Sequence, residues 1–428
     1  MSITKAMWTG VSGLGAEGGA LGVIGDNIAN GNTVGFKASR ALFEDILGGA
    51  IGSNVGGGVR LARTQQIFGQ GSIVNTGQAT DLAISGDGFF VVKGSLGGVT
   101  GDFYSRAGQF TPDNQGFLVN PQGLKLQGFG MNPDGTISAN MGDIQLPTTP
   151  IPAKATSTFD LQANLDPTST PPALTWDANN AAATSNFSTP MTVVDSLGAS
   201  HDVNVYYVKT PTGWDYHVVA DGDELSPAQP GVQAEIGAPG GQLTFNTDGG
   251  LATQTMTSAS FDFAGATPGQ VVTLNFGTPG ALGAPGTLDG ITQTSGANSN
   301  NNMQTDGYAA GLLTGVKIDP DGTVMGTYDN GEQMALAQVA TAKFASNDGL
   351  DRAGGNCWVK TRESGDAAIA AAGTGGRGSL VAGALEQSNV DIAEQFVRMI
   401  SHQRSFQANS KTITTADEML QEVVNLKR

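Results

Sequence analysis

The sequence predicts a mainly β protein with α-helical termini, in which nested, discontinuous β domains of sandwich or barrel type are carried on a coiled coil of the N- and C-terminal helices. Three observations predict it. Apolar residues recur at three-four spacing through the last forty-odd residues, and Met7, Leu14, Leu21 and Ile28 recur every seventh residue at the start. Between these ends, short β-patterned runs alternate with turns rich in Gly, Pro, Asn and Asp. The two helical ends must meet, so each later segment between them pairs with an earlier one. The expected layout is a helical assembly domain from 1–30 with 384–428, a connector from 31–70 with 370–383, an inner β domain from 71–146 with 304–369, and an inserted outer β domain at 147–303.

In the N-terminal helix, Ile3 and Ile24 occupy the companion positions of the heptad. Gly10, Gly13, Gly15, Gly18, Gly19, Gly22 and Gly25 each cost about 1 kcal/mol relative to Ala, so something outside the segment must stabilise it. Their physical benefit is close backbone approach, as in small-residue helix packing, which points to a tightly packed multi-chain assembly. The helix should stop near Asn30-Gly31, with Gly31 in the left-handed C′ position. Residues 41–47 fit a short helix. The glycine-rich run 48–58 reads as a flexible connector, because neither a preceding strand nor a Gly-Lys-Ser/Thr ending makes it a phosphate loop.

From Gly71 the pattern is β, with Asp81 to Val92 giving strand, turn, strand. Hairpin turns are expected at Thr111-Pro112-Asp113-Asn114, Asn132-Pro133-Asp134-Gly135 and Asp319-Pro320-Asp321-Gly322. Pro147, Pro150 and Pro152 mark the entry to the outer domain. There Met191 to Val208 reads as a hairpin, Trp214 to Val219 and Val271 to Phe276 as further strands, and 283–302 as a polar return linker. The C-terminal run 384–428 has no proline, so it can be helical throughout, roughly 60 Å long. Its stripe is Ile392, Phe396, Met399, Phe406, Ile413, Leu420 and Val423, with Gln403, Ser410 and Ala416 in the polar or small slots.

Composition narrows the function. Glycine is 63 of 428 residues, about twice the average share, charged residues are 14%, and the net charge is -17. Such acidity argues against nucleic acid and anionic membranes as partners, and no apolar run approaches the 18 or so residues of a membrane span. Residues 146–305 hold 13 Asp and Glu against only Lys154 and Lys209, so the middle block is the solvated, outward part. The single cysteine, Cys357, excludes an internal disulfide framework and reads as a small buried residue beside Trp358. No cofactor or metal is expected: His201, His217 and His402 lie in two strands and a helix without a partner motif, and Asp221, Asp223 and Glu224 read as solvated acids of a turn. The start of the chain lacks a secretory pattern. Nothing in the sequence calls for an enzyme.

Two motifs then carry a resemblance. Ile24 to Lys37, reading Ile-Gly-Asp-Asn-Ile-Ala-Asn-Gly-Asn-Thr-Val-Gly-Phe-Lys, resembles the N-terminal signature of bacterial flagellar rod, hook and hook-associated axial proteins. Ser388-Asn389-Val390-Asp391, Met399-Ile400, Gln403 to Lys411 and Asp417-Glu418-Met419-Leu420 resemble the matching C-terminal signature, and Val193 to Gly198 is similar to a hairpin of hook outer domains. Within that family the inserted block 147–303 points to a hook subunit. The resemblance implies a structural protein that polymerises into a curved, flexible tube acting as a universal joint between rod and filament. It further implies the rod, the hook cap, the hook-filament junction proteins and the type III export apparatus as partners, and an extracellular place in the flagellar hook reached without a cleaved signal. A distal-rod or hook-filament junction subunit is the alternative, and a secreted β-rich adhesin or carbohydrate-binding protein the alternative of another class. The residues expected at the assembly interface are Met7, Leu14, Leu21, Ile24, Ile28, Asn30, Phe36 and Lys37 from the start, with Ile400 joining the C-terminal stripe at the end.

Overall fold

The computed structural model describes residues 3–47, 56–132, 135–280 and 287–425, with the backbone alone for Ile3 and Val423. The chain forms two compact units, one made of Met1–Thr148, Thr314–Thr327 and Gln333–Arg428, the other of Thr149–Leu313 and Tyr328–Glu332.

The first unit begins with helix α1 (Ile3–Ala29). Strands β1 (Ser39–Asp45) and β2 (Val59–Gln66) follow and pair antiparallel. Residues 41–47, expected to be helical, are thus mostly strand. Pairing with β2 and packing of the Leu61 side chain against Gly19 of α1 override the local helix preference. Next come β3 (Ile73–Asn75), β4 (Leu82–Ser85), β5 (Phe89–Leu96) and β6 (Val99–Ser105). Hairpin β5–β6 turns on Gly97 and Gly98, both at positive φ (59° and 85°), the geometry a two-residue turn demands. The sequence reads 81–92 as one strand-turn-strand, but β4 pairs with Ser379–Ala382 while β5 enters a large antiparallel sheet with Lys125–Met131, Gln333–Lys343 and Cys357–Val359. Phe89, Val91, Tyr104, Phe344 and Trp358 pack as an aromatic core beneath it. Turns close at Gly116 N to Asp113 O (3.0 Å) and Gly322 N to Asp319 O (2.9 Å). Pro133 and Asp134 of the third expected turn, and 48–55 of the glycine-rich run, lie outside the described residues.

The second unit is a β-sandwich. Its five-stranded meander runs Phe187–Val194, Ser200–Lys209, Trp214–Asp221, Gln233–Phe245 and Leu251–Gln254. A four-stranded sheet holds Ser258–Phe261, Gln270–Asn275, Thr158–Asn164 and Ser299–Thr305. Phe159, Leu161 and Leu274 of the smaller sheet share one core with Val203, Tyr207, Trp214 and Leu243 of the larger. The expected linker 283–302 therefore ends in a strand, because Ser299–Thr305 pairs antiparallel with Thr158–Asn164. A short helix, α2 (Ala181–Thr184), precedes the meander. The histidines do have partners. His201 has Glu224 at 2.7 Å on Nδ1 and Asp195 at 3.2 Å on Nε2, and stacks on Phe263; His217 has Glu235 at 2.5 Å and stacks on Trp176. With both His201 nitrogens facing carboxylates, the cluster is an internal brace. No group of three or more metal-ligating side chains is poised to hold an ion among the described residues.

The chain closes with strand Ala384–Glu386 on β3 and helix α3 (Ile392–Asn425), 34 residues or roughly 51 Å. The long helical run expected from 384 thus starts eight residues later. Asp391 sets its start: its Oδ1 accepts from the Glu394 backbone N–H at 3.1 Å, an N-cap that fixes the first turn. Among the described residues no helix is long and apolar enough to cross a membrane.

Candidate assembly site

Helices α1 and α3 pack antiparallel, and their side-chain partners define the shared face. Asn27 Nδ2 donates to Gln395 Oε1 (3.1 Å), His402 Nδ1 lies 2.5 Å from Glu17 Oε2, and a Cβ built on Gly13 or Gly10 would stand 2.5 Å from Asn409 Nδ2 or 2.9 Å from Ile413 Cγ1. A Cβ at Gly10 or Gly13 fits only if the Ile413 or Asn409 side chain gives way, so these two glycines set how closely the helices approach. Ala16, Ala20, Ile24 and Ala416 complete the buried strip. Gly15, Gly18, Gly22 and Gly25 are different: nothing lies within 4 Å of where their Cβ would be.

The expected stripe is only partly on this face. Ile24 is buried, and Met7, Leu14, Leu21, Ile28, Met399, Ile413 and Leu420 are half-buried. Ile392, Phe396, Ile400 and Phe406 are exposed, and the Val423 side chain lies outside the description. The face of α3 that meets α1 combines Ile413 and Ala416 with a polar row, Gln395, His402 and Asn409. Apolar spacing alone missed that row because small and polar residues on α1 select polar partners. What remains outward is apolar: Phe396 is 49% exposed, Val397 68%, Ile400 51% and, on α1, Trp8 72%.

Behind the helices, the two terminal motifs meet at one buried junction. Gly35, at φ 69°, turns the chain where a Cβ would strike Ala107 N at 2.5 Å, and its N–H donates to Glu386 O. The turn delivers Phe36 to a buried position under the Arg352 guanidinium, 5.5 Å from the ring, and points Lys37 inward. Lys37 Nζ donates to Glu386 Oε1 (2.6 Å) and Gly69 O (2.8 Å), while Arg106 Nη1 reaches Glu386 Oε2 at 3.2 Å and the Gly71 N–H donates to Oε1 at 2.8 Å. The Lys37 and Glu386 side chains are 0% exposed. Burial pushes the Lys37 ammonium below the ordinary lysine range against the pull of Glu386, and burial likewise lowers Arg106. A carboxylate held by two cations and an N–H fits the rule that a buried charge is tolerated only when paired. Lys37 and Phe36, expected at an interface between chains, thus sit inside this one.

Asparagines knit the same junction. Asn27 exchanges hydrogen bonds with the Ser39 backbone (2.7 and 2.8 Å), Asn389 accepts from Ala38 N and donates to Ile67 O and Gly69 O, and Asn30 accepts from Thr33 and donates to Asp26 O. Gly31, expected left-handed, is not among the positive-φ glycines. It gives room instead to Ile392, whose Cδ1 would lie 3.2 Å from a Cβ there. Sequence reasoning passed over Glu386, Arg106, Asn27 and Gln395. Asn27 and Asn389 stood within the quoted motifs, whereas Arg106 and Glu386 are paired only by a fold that joins residues 280 apart.

Four family models match in register along the chain. They are Flagella basal body rod protein over 7–37, Flagellar hook protein FlgE/F/G D1 domain over 83–162, Flagellar basal body protein FlaE D2 domain over 160–308, and Flagellar basal body rod FlgEFG protein C-terminal over 381–426. The chain is 40% identical to the flagellar hook protein FlgE of Escherichia coli (strain K12), covering 97% of this chain and 98% of that one. It is 37% identical to FlgE of Treponema pallidum (strain Nichols) over 99% and 100%. Among solved structures, the Helicobacter pylori flagellar hook protein FlgE2 superposes with a TM-score of 0.50 at 13% identity, over 72% of this chain and 98% of that one, a likeness of fold.

Proposed function

Since the chain belongs to the flagellar hook protein FlgE family, a family of structural subunits of the bacterial flagellum, we propose that copies of it join through α1 and α3 into a helical tube, with the β units outside. The observation that carries this is the outward apolar face of α3. Soluble monomers rarely leave contiguous apolar surface of this kind without a use. A helix of 34 residues with Phe396, Val397 and Ile400 half to two-thirds exposed gains roughly 1–2 kcal/mol for each such side chain once covered. A contact between unlike faces that does not close on itself builds a filament rather than a ring.

On this reading the interface includes the half-buried Met7, Leu14, Leu21 and Ile28 together with the exposed residues of α3. Lys37, Phe36 and Asn30 act one step removed, by fixing how the helices leave the β unit. Curvature of the tube, its role as a flexible joint, binding to rod, cap and junction proteins, and export by the type III apparatus belong to the same proposal. So do the four-part domain division set out from the sequence and a location at the extracellular hook. The test is electron microscopy and sedimentation of the purified chain under polymerising conditions beside a variant lacking 384–428. Curved tubes from the full chain alone support the proposal, straight tubes favour a rod subunit, and soluble monomers from both refute it.

A further inference from the structure

The outward residues of α1 and α3 share one periodicity. On α1 a row of exposed positions is Trp8, Val11, Gly15, Gly18, Gly22 and Gly25; on α3 another is Val397, Ile400, Arg404, Gln407, Lys411 and Thr414. Both step by three, four, three, four, three, the spacing of helices that pack side by side. Their sizes are complementary: apolar residues lead each row, after which bare glycines on α1 stand where α3 carries its longest side chains.

Alongside the glycine end is a cavity of about 550 Å³ lined by Gly19, Gly22, Asp26, Ser39, Gln66 and Asp351 among others, all within the first unit. Ser39 is 5% exposed, yet its Oγ has no hydrogen-bond partner, nor has Gln66 Nε2. Buried polar groups without partners are costly, and these two lie at the wall of an open cavity. Its rim carries Asp26, Asp348 and Asp351 against Arg352, which is tied to Asp26 at 3.1 Å. The cavity therefore suits a cationic, donor-bearing side chain.

We infer that α3 of a second copy lies parallel to α1 in this glycine groove, with Ile400 on Val11, Arg404 on Gly15, Gln407 on Gly18 and Lys411 on Gly22. From Val11 to Gly22 and from Ile400 to Lys411 are equal steps of eleven residues, about 16 Å, so the register that joins the apolar ends also sets Lys411 at the cavity. Its ammonium donates to the Ser39 hydroxyl and to Asp348 and Asp351, and the Gln407 carbonyl is within one turn of the Gln66 amide. The chain's own Lys411 cannot do this. In the intramolecular pair, Asn409 lies against Gly13 and Ile413 against Gly10, about ten residues or 15 Å up the helix from Gly22.

This inference rests on the self-assembly proposed above, and its test separates the two. Val11→Cys with Ile400→Cys is made in the full chain, whose only native thiol is buried. Within one copy these positions are about 16 Å apart along the helices, beyond the reach of a disulfide. Polymer oxidised and run without reductant gives a covalent ladder if the register holds; polymer without a ladder overturns it while leaving self-assembly standing. Gly18→Leu supplies a second reading: the monomer keeps at least its parental helix content, because that position touches nothing, but no polymer forms. Lys411→Glu raises the critical concentration about tenfold and Asp351→Lys in the same chain restores it. Normal polymerisation of Gly18→Leu, or of Lys411→Glu, refutes the groove.

Discussion

Glu386→Gln isolates the junction between the terminal motifs. The substitution keeps the side-chain shape and leaves an oxygen for the Gly71 N–H, but removes the only carboxylate shared by Lys37 and Arg106. Two cations with side chains 0% and 3% exposed are then left without a counter-charge, which costs about 3–5 kcal/mol. Cys357 reports the loss locally. Burial raises its thiol to about 11, it is the single cysteine, and its strand pairs in register with Ser105, next to Arg106. A thiol reagent therefore reaches it only when this part of the first unit opens. At 1.4 kcal/mol per tenfold, the labelling rate under native conditions should rise by about two to three and a half powers of ten. Lys37→Met leaves Glu386 balanced by Arg106 and should raise it less than about tenfold, since a charge-neutral pair remains. A change below threefold for Glu386→Gln, or equal damage from Lys37→Met, would refute the assignment of Glu386 as the centre of the junction.

Three further outcomes follow from the same geometry. Gly13→Val, which drives a side chain into Asn409, should unpair α1 from α3 and lower protection of their amides from hydrogen exchange, whereas Gly22→Ala, with open space around it, should add about 0.5–1 kcal/mol to the helix. In the second unit, burial acts to raise the Asp306 carboxyl, but hydrogen bonds from Ser157 and Thr158 and the Lys154 ammonium outweigh it and hold the group well below the usual carboxylate range. Its folded value lies below its unfolded value of about 3.9, so its contribution is complete above about pH 4 and is lost as pH falls further. Urea unfolding of Asp306→Asn should show a loss of about 1–3 kcal/mol at pH 7 and a shallower decline between pH 5 and 2. Arg352→Ala removes an exposed pair with Asp26 and uncovers the Phe36 ring, and should lower stability by about 1–2 kcal/mol in the same assay.

What the sequence made legible follows from how local each signal is. Helices α1 and α3, the Met191 to Val208 hairpin and the buried state of Cys357 all rest on spacing or composition within a short window, and the structure has each. The strand at 39–45, the short strand 384–386 and the strand at 299–305 depend on partners far along the chain, which periodicity within a window does not register. The site divides in the same way. Apolar spacing marks α3 as a helix with an apolar stripe, but does not register that Ile392, Phe396, Ile400 and Phe406 face away from α1 while Gln395, His402 and Asn409 meet it. Lys37 stands out in its motif and reads as an assembly-interface residue, since nothing nearby in sequence announces that Glu386 and Arg106 will enclose it.

The glycines of α1 show why one helix serves two contacts. Gly10 and Gly13 serve the close approach within the chain, because the Asn409 and Ile413 side chains occupy the space a Cβ would take. Gly15, Gly18, Gly22 and Gly25 are needed by nothing in the same chain, yet together they cost the helix about 4 kcal/mol against alanine. That is a large share of the 5–15 kcal/mol that holds an ordinary domain together. A lone copy carries this cost without return, so α1 should be the least stable long element of the free chain, fraying before either β unit opens. Once a second helix fills the groove, the same glycines allow backbone approach and the cost is offset by contacts that exist only in the assembled state. Replacing all four with alanine should therefore raise the helix content of the free chain while weakening assembly, and circular dichroism beside sedimentation would read the two effects in opposite directions. A variant that gained in both would show that the outward glycines have no partner.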